Sequence, residues 1–313
     1  MILTKKVKHN FNFDVQLAAA EQVANFAINN RRSLSSKNVK AFGLKSAISN
    51  QILRKYGRNK KCKQITKVNL IVPNQSIKIK DSIIFIRCLD IEIDGNYLPD
   101  FEKINQIEID KHYFYISITV KDGIEFEPQS ILGVDMNATK HIAVCSDINT
   151  GKVLKLGKIA QHIRRKYRGK KKESRCMNDL DHKVSRKIVD FAKNNKCSIA
   201  IEDLKNIRKQ KSKGKKMNRI LHSWSFARLR AYIVYKAKLA GVPVILVEPH
   251  YTSQECSRCG VIGSRDKKQF SCSCGHVDHA DANAAFNIGQ LAIDRDIVKR
   301  ATGGPPKNPY VLV

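Results

Sequence analysis

Hydrophobic positions fall into two rhythms along this chain. Residues 14–30 (DVQLAAAEQVANFAINN) and 37–56 carry apolar residues at helical spacing, and Asp14 offers a cap for the first helix. From Ile65 to Asp122 the period shortens. QSIKIKD, DSIIFIRCLDIEI and HYFYISITV are β-branched, often alternating, and broken by Asp, Asn and Gly, which predicts a small antiparallel sheet or barrel. Acidic Glu125–Glu127 and Pro128 then mark a seam. Beyond it, strand-like and helix-like segments alternate. ILGVDMN and HIAVCSD read as short apolar strands, followed by GKVLKLGK. Residues 159–195 read as a helix with Leu180, Val184, Ile188 and Phe191 on one face. CSIAIEDL reads as a buried strand. A helix over 221–240 sets Phe226, Leu229, Ile233, Ala237 and Ala240 at core spacing, with Gly241 as its stop. GVPVILVEP is another strand, DANAAFNIGQLA opens a last helix, and the tail from Thr302 reads as loose. This alternation predicts an α/β sheet covered on its faces.

Composition adds a partner to this picture. A hydrophobic share of 42% is enough for a core, but 58 Lys+Arg against 28 Asp+Glu leaves a net charge of +30. So large a surplus repels itself unless a polyanion neutralises it, and phosphate contacts also release counterions. Nucleic acid is therefore the expected partner, rather than a membrane or a small-molecule substrate. No stretch reaches the roughly 18–20 apolar residues of a membrane span. The start, MILTKKVKHNFNFD, has no apolar signal region, so a reducing, cytoplasmic setting is expected.

In that setting grouped cysteines point to metal. Cys62, Cys88, Cys145, Cys176 and Cys197 are scattered, whereas Cys256, Cys259, Cys272 and Cys274 form C-x2-C, twelve residues, then C-x-C. Two thiol pairs on tight turns, with Gly260 and Gly275 permitting the turns, are a usual way to surround one structural Zn²⁺. The rival is a redox pair or disulfide; His276 and His279 are lesser candidate ligands.

Three acids end or begin elements. Asp135 closes ILGVD, Glu202 closes SIAIE, and Asp281 opens the last helix. Ligands collect at such element ends in α/β sheets. Carboxylates converging there suit Mg²⁺, and two such ions can activate water and stabilise a leaving oxygen. Each acid also has a plain reading: Asp135 as a turn residue, Glu202 as a partner for a nearby lysine, Asp281 as a helix cap. Residue types alone leave these alternatives open.

The surrounding motifs carry a resemblance. GVDMNATKHIAVCSD, IAIEDLKNI and HADANAAFNIG resemble the three RuvC motifs of the transposon-encoded TnpB family, RNA-guided DNA nucleases related to type V CRISPR effectors. RILHSWSFARLRAYIVYKAKLAGVPVILVEPHYTSQECSRCG resembles the family's helix, strand and zinc-ribbon stretch, and the match runs from about Ile131 to Ile288. It implies a mixed α/β fold with an RNase H-like (RuvC) sheet and an inserted zinc ribbon, preceded by a small helical and barrel-like wedge region. The implied domains are 1–128 for recognition and wedge, 129–249 with 277–301 for the nuclease, 250–276 for the ribbon, and 302–313 as a tail. It further implies Asp135, Glu202 and Asp281 as catalytic ligands of two Mg²⁺ ions, a guide RNA, and double-stranded target DNA near a prokaryotic nucleoid. A nuclease-silent RNA-guided repressor and a strand-transferring transposase are the alternative functions. Many relatives have Gly two residues after the first acid, where this chain has Asn137, a residue tolerant of left-handed backbone. Asp203 and Asp278 are lesser candidates, Asp203 being expected on the other side of its strand from Glu202.

Two basic runs, 163–175 and 205–219, hold eight Lys/Arg each. They read either as solvated loops or as clamps on an RNA–DNA duplex recognised by shape. Arg164, Arg165, Lys166, Arg168, Arg208, Lys209, Lys215 and Lys216 are the candidate phosphate contacts. Tyr167 and Trp224 are candidate stacking residues. Tyr251, Thr252 and Ser253, just before the ribbon, either shape a turn or offer hydroxyls to phosphate.

Overall fold

The computed structural model of the chain describes residues 1–30, 34–58, 63–137, 140–203, 226–248 and 251–302, the stretch 294–302 by its backbone. Cys62, the expected helical turn at 221–225 and the tail beyond 302 lie outside the described residues. Backbone contacts separate two units, Met1–Lys121 and Asp122–Val313.

The first unit begins with a strand, β1 (Ile2–Lys8). Its lysines hide it from a hydrophobic reading. Only Leu3 and Val7 are half-buried, and the strand is held as a sheet edge, where charged side chains discourage further pairing. Then come α1 (Asp14–Asn30), a 3₁₀ segment Ser36–Phe42 and α2 (Ser46–Gly57). The helix expected over 37–56 is interrupted because Gly43 takes the left-handed region, φ +74°, and caps the 3₁₀ turn. The β-rich stretch separates into β2 (Leu70–Pro73), β3 (Ile77–Lys80), β4 (Ile83–Ile86), β5 (Ile91–Asp94), β6 (Lys103–Ile109) and β7 (Tyr113–Thr119). They form two sheets rather than one: β1-β7-β6-β2 and β3-β4-β5, antiparallel throughout. Phe114, Ile116 and Ile118 of β7 point to one buried face, the alternation that the sequence displays.

In the second unit, β8 (Ser130–Met136), β9 (Ala143–Asp147) and β10 (Val153–Leu156) form an antiparallel meander. Helices α3 (Ala160–Lys166) and α4 (Lys171–Asn194) follow, divided where the sequence predicts one helix because Gly169 turns left-handed at φ +72°. Strand β11 (Cys197–Glu202) then pairs parallel with β8, α5 (Phe226–Ala240) crosses over, and β12 (Val244–Val247) pairs parallel with β11. The sheet order is β10-β9-β8-β11-β12. Three short strands, β13 (Ser264–Asp266), β14 (Gln269–Ser271) and β15 (Val277–His279), precede the last helix, α6 (Ala280–Thr302). Residues 122–126 belong with this unit: the amides of Gly123 and Phe126 donate to the carbonyls of Lys238 and Gly241.

Strand alternation sorts the two faces of the five-stranded sheet. Leu132, Val134, Met136, Ile199 and Ile201 pack with Val184 and Ile188 of α4 and Leu229 and Ile233 of α5. Gly133, Asp135, Ala200 and Glu202 belong to the opposite face, where α6 packs through Ile288 and Ala292. The helix comes onto β8 backbone to backbone. A Cβ at Gly133 would stand 1.9 Å from the Ala285 carbonyl oxygen and 2.7 Å from the Gly289 nitrogen. Gly133→Ala is therefore expected to push α6 off the strand and to cost about 1–3 kcal/mol, as overpacking does. Denaturant unfolding reads this directly, and an unchanged midpoint would mean that the contact is not so close.

Candidate functional site

Asp135 and Glu202 reach the same point from neighbouring strands. Parallel pairing of β8 with β11 sets Ala200 beside Gly133 and Ile201 beside Val134. One residue further on, Asp135 and Glu202 are the next in line, both on the face that α6 covers. Asp281, the second residue of α6, lies at the positive end of that helix and is 1% exposed. Asp135 and Glu202 line one cleft together with Asn137, Thr252, Gln254 and Arg265, and Asp281 is buried beside it, near enough for its charge to act on Asp135.

The acids act on one another electrostatically. Burial, then the charge of Asp281, and to a lesser degree that of Glu202, push the Asp135 carboxyl up to about 7, against a hydrogen bond from Asn137. Burial also raises Glu202, opposed by a hydrogen bond from the Thr252 hydroxyl. Like charges gathered in a low-dielectric cleft hold protons that isolated carboxyls would release.

Asn137 plays a different part from that expected of it. It is not among the residues with positive φ; Lys140, three residues on, is, at φ +56°. The Asn137 amide bonds the Ile142 carbonyl, and its side-chain nitrogen donates to Asp135 Oδ2 at 2.8 Å. Asp203 turns away from the cleft and pairs with Arg230 of α5. Asp278 stands 3.9 Å from His276 Nε2.

The four cysteines converge as well. Their sulfur atoms all lie within 4.8 Å of one another, with Cys256–Cys274 at 3.8 Å and Cys259–Cys272 at 3.5 Å. Backbone donation from Cys274 holds the Cys272 thiol down at about 6. His276 stands beside the group, Nδ1 3.3 Å from Cys256 Sγ, and His279 is the last residue of β15. Cys145 and Cys197 are buried singly in the sheet.

The sequence reading missed two cations. The β13–β14 hairpin carries Arg265 and Lys268 onto Asp281, with Arg265 Nη2 3.1 Å from Oδ1 and Lys268 Nζ 2.5 Å from Oδ2. Their signal is the basic turn SRDKKQ between the cysteine pairs, which looks like any solvated loop. Only the antiparallel return of β14 against β15 folds it onto the start of α6.

The candidate nucleic-acid contacts divide. Arg165, Lys166 and Arg168 are exposed around the end of α3, and Arg164 is half-buried. Tyr167 packs against the core, and the Lys172 ammonium lies over its ring, 4.9 Å from the centroid. Arg208, Lys209, Lys215, Lys216 and Trp224 lie outside the described residues. Tyr251 is exposed with φ +47°, and Ser253 is half-buried. The Thr252 hydroxyl is buried and donates to Glu202 Oε1 at 2.6 Å, so it serves an acid rather than facing solvent. Among the described residues, no helix is long and apolar enough to cross a membrane.

Comparison with known proteins bears on the same stretch. Residues 226–288, from α5 through the cysteines to Asp281, match the family model described as Cas12f1-like, TNB domain. CRISPR-associated endodeoxyribonuclease Cas12f1 of Sulfoacidibacillus thermotolerans is 43% identical over 124 residues; these cover 38% of this chain, and the chain spans 28% of that relative's length. A solved Cas12f1–sgRNA–target DNA complex superposes with a TM-score of 0.52 at 16% identity, covering 88% of this chain and 82% of that one, a likeness of fold. A TnpB-like protein of Methanocaldococcus jannaschii is 30% identical over 203 residues, covering 62% of this chain and 71% of the relative. With identity at that level across most of the relative's length, the chain belongs to the TnpB-like family.

Proposed function

We propose that the chain is an RNA-guided DNA endonuclease whose Asp135, Glu202 and Asp281 hold two Mg²⁺ ions at the point of cleavage. The observation that carries this reading is that Asp135 and Glu202, from two adjacent strands, line one cleft, with Asp281 of a helix start near enough for its charge to act on Asp135. The donor set fits the ion: the acids offer only oxygen, the hard ligand Mg²⁺ takes. Mutual repulsion at Asp135 marks a place that favours added positive charge. When bound, the ions would supply Lewis-acid stabilisation of the attacking and leaving oxygens of a phosphodiester.

The chain's own residues do the rest. Asn137 orients Asp135 through its carboxamide. Arg265 and Lys268 pair with Asp281, and an ion taking their place on that carboxylate would free their charges for phosphate. The order of the mixed sheet, β10-β9-β8-β11-β12, supports the RNase H-like (RuvC) reading. In this reading residues 129–249 and 277–301 are the nuclease domain, 250–276 the ribbon and 1–128 the wedge and recognition region, whose last residues, from Asp122, pack with the nuclease domain. The charge of +30 supports guide RNA and double-stranded DNA as partners, with the exposed Arg165, Lys166 and Arg168 among the backbone contacts. The similarity to a relative named as an endodeoxyribonuclease points the same way.

Zinc fits the cysteine group. Thiolates about 2.3 Å from a tetrahedral Zn²⁺ stand about 3.8 Å apart, near the 3.5 and 3.8 Å of the closest pairs.

Asp135→Ala and Glu202→Ala should each bring DNA cleavage below detection while guide-RNA affinity stays within a few-fold of the parent; full cutting by either variant sinks the assignment. Metal binding should depend on pH. The folded Asp135 titrates near 7 and the unfolded residue near 3.8, so between those values the folded chain binds more protons. This group's contribution to stability thus declines as pH rises through that window when no divalent ion is bound. A cation competes with that proton, so the gain in Tm on adding Mn²⁺ should be larger at pH 8 than at pH 6; equal gains contradict it. Elemental analysis should find about one zinc per chain, lost from Cys256→Ser.

A further inference from the structure

Glu202 is held by a hydroxyl, and the backbone carrying that hydroxyl is held from the helix that bears Asp281. Thr252, 6% exposed, donates from Oγ1 to Glu202 Oε1 at 2.6 Å. Its carbonyl accepts from Asn287 Nδ2 at 2.8 Å, and the same nitrogen donates to the Glu255 carbonyl at 2.8 Å. Asn283 Nδ2 joins it on that carbonyl at 2.7 Å, while Asn283 Oδ1 accepts the Ser257 amide at 2.9 Å. Ser257 follows Cys256, the first cysteine of the zinc group. Asn283 and Asn287 are one turn apart on α6, 0% and 8% exposed. Buried carboxamides are costly unless bonded, and both are bonded to this one turn.

We propose that Thr252 is a positioning residue for Glu202, fixed by the Asn283–Asn287 clamp so that the two acids on the sheet and the acid on α6 keep one relative geometry. The proposal rests on reading Glu202 as a metal ligand. The physical need is plain. A glutamate at a strand end has three side-chain torsions, and an ion-binding site loses affinity for every torsion it must order. One donated hydrogen bond removes that freedom. An ionised carboxylate has about four lone-pair directions, so acceptor capacity is left for an ion. The clamp also gives zinc loss a route to the sheet: the turn that ends in Cys256 is the turn that aims Thr252.

The test compares Thr252→Val, Thr252→Ser and Glu202→Gln with the parent chain, reading Mn²⁺ binding by electron paramagnetic resonance at pH 8, with zinc content and melting temperature alongside. Thr252→Val should weaken Mn²⁺ binding by about 10- to 100-fold, the usual effect of removing a group that orients a ligand, with zinc retained. Thr252→Ser should recover affinity to within a few-fold. Glu202→Gln should lose binding. Parent-like affinity in Thr252→Val overturns the positioning role and, with Glu202→Gln still deficient, leaves the metal site standing. Should Thr252→Val lose its zinc or melt early, Thr252→Ser decides alone, since loss of affinity there means that packing of the methyl, not the hydroxyl, is what acts. Parent-like affinity in Glu202→Gln overturns the reading of Glu202 and the proposal with it.

Discussion

A backbone contact governs this protein's second unit: α6 rests on β8 at Gly133 with no side chain between them. Packed layers are normally held apart by side chains from both, as stacked sheets are at about 10 Å. Removing one layer at Gly133, and meeting it with Ala285 and Gly289 on the helix, lowers α6 onto the strand two residues before Asp135. The start of the helix, with Asp281, then overhangs the strand ends. Small residues on both sides are thus what gathers three acids from distant parts of the sequence.

Gathering them carries an electrostatic cost that the β13–β14 hairpin offsets. Asp281 is almost fully buried, yet two cations from the hairpin sit on it. Asp135 and Glu202 have neutral donors, Asn137 and Thr252, and retain raised proton affinity. The cleft is thus compensated on the helix side and open to more positive charge on the sheet side. In a chain of +30 two of these carboxyls still keep raised proton affinity, because local burial and neighbouring charge, not the net charge, set the chemistry. The cysteine-bearing segment touches both sides of that balance, through Arg265 and Lys268 at Asp281 and through the turn before Cys256 at Glu202.

Much of this architecture is legible in the sequence because it is written in periodicity. The apolar runs ending in Asp135 and Glu202 and the Ala-rich start of α6 declare buried strands and a close-packed helix. Two breaks inside predicted helices turn on single glycines, Gly43 and Gly169, whose left-handed backbone no propensity sum reveals. Strand β1 escapes notice because it is held by backbone pairing and not by an apolar face. Arg265 and Lys268 escape for another reason, as do the roles of Asn137 and Thr252. Each is a polar residue in a turn, at a strand end or on a short exposed strand, alike in sequence to many solvated ones, and acquires its partner only when the β14–β15 return or the strand ends bring that partner near. Motif resemblance could point to the acids; it could not point to what holds them.

Anomalous diffraction from crystals of this chain soaked in Mn²⁺ tests the central claim most directly. The account predicts manganese peaks in the cleft within coordination distance of Asp135, Glu202 and Asp281, with the Lys268 ammonium displaced from Asp281. Peaks elsewhere, or none in a soak at pH 8, would contradict it.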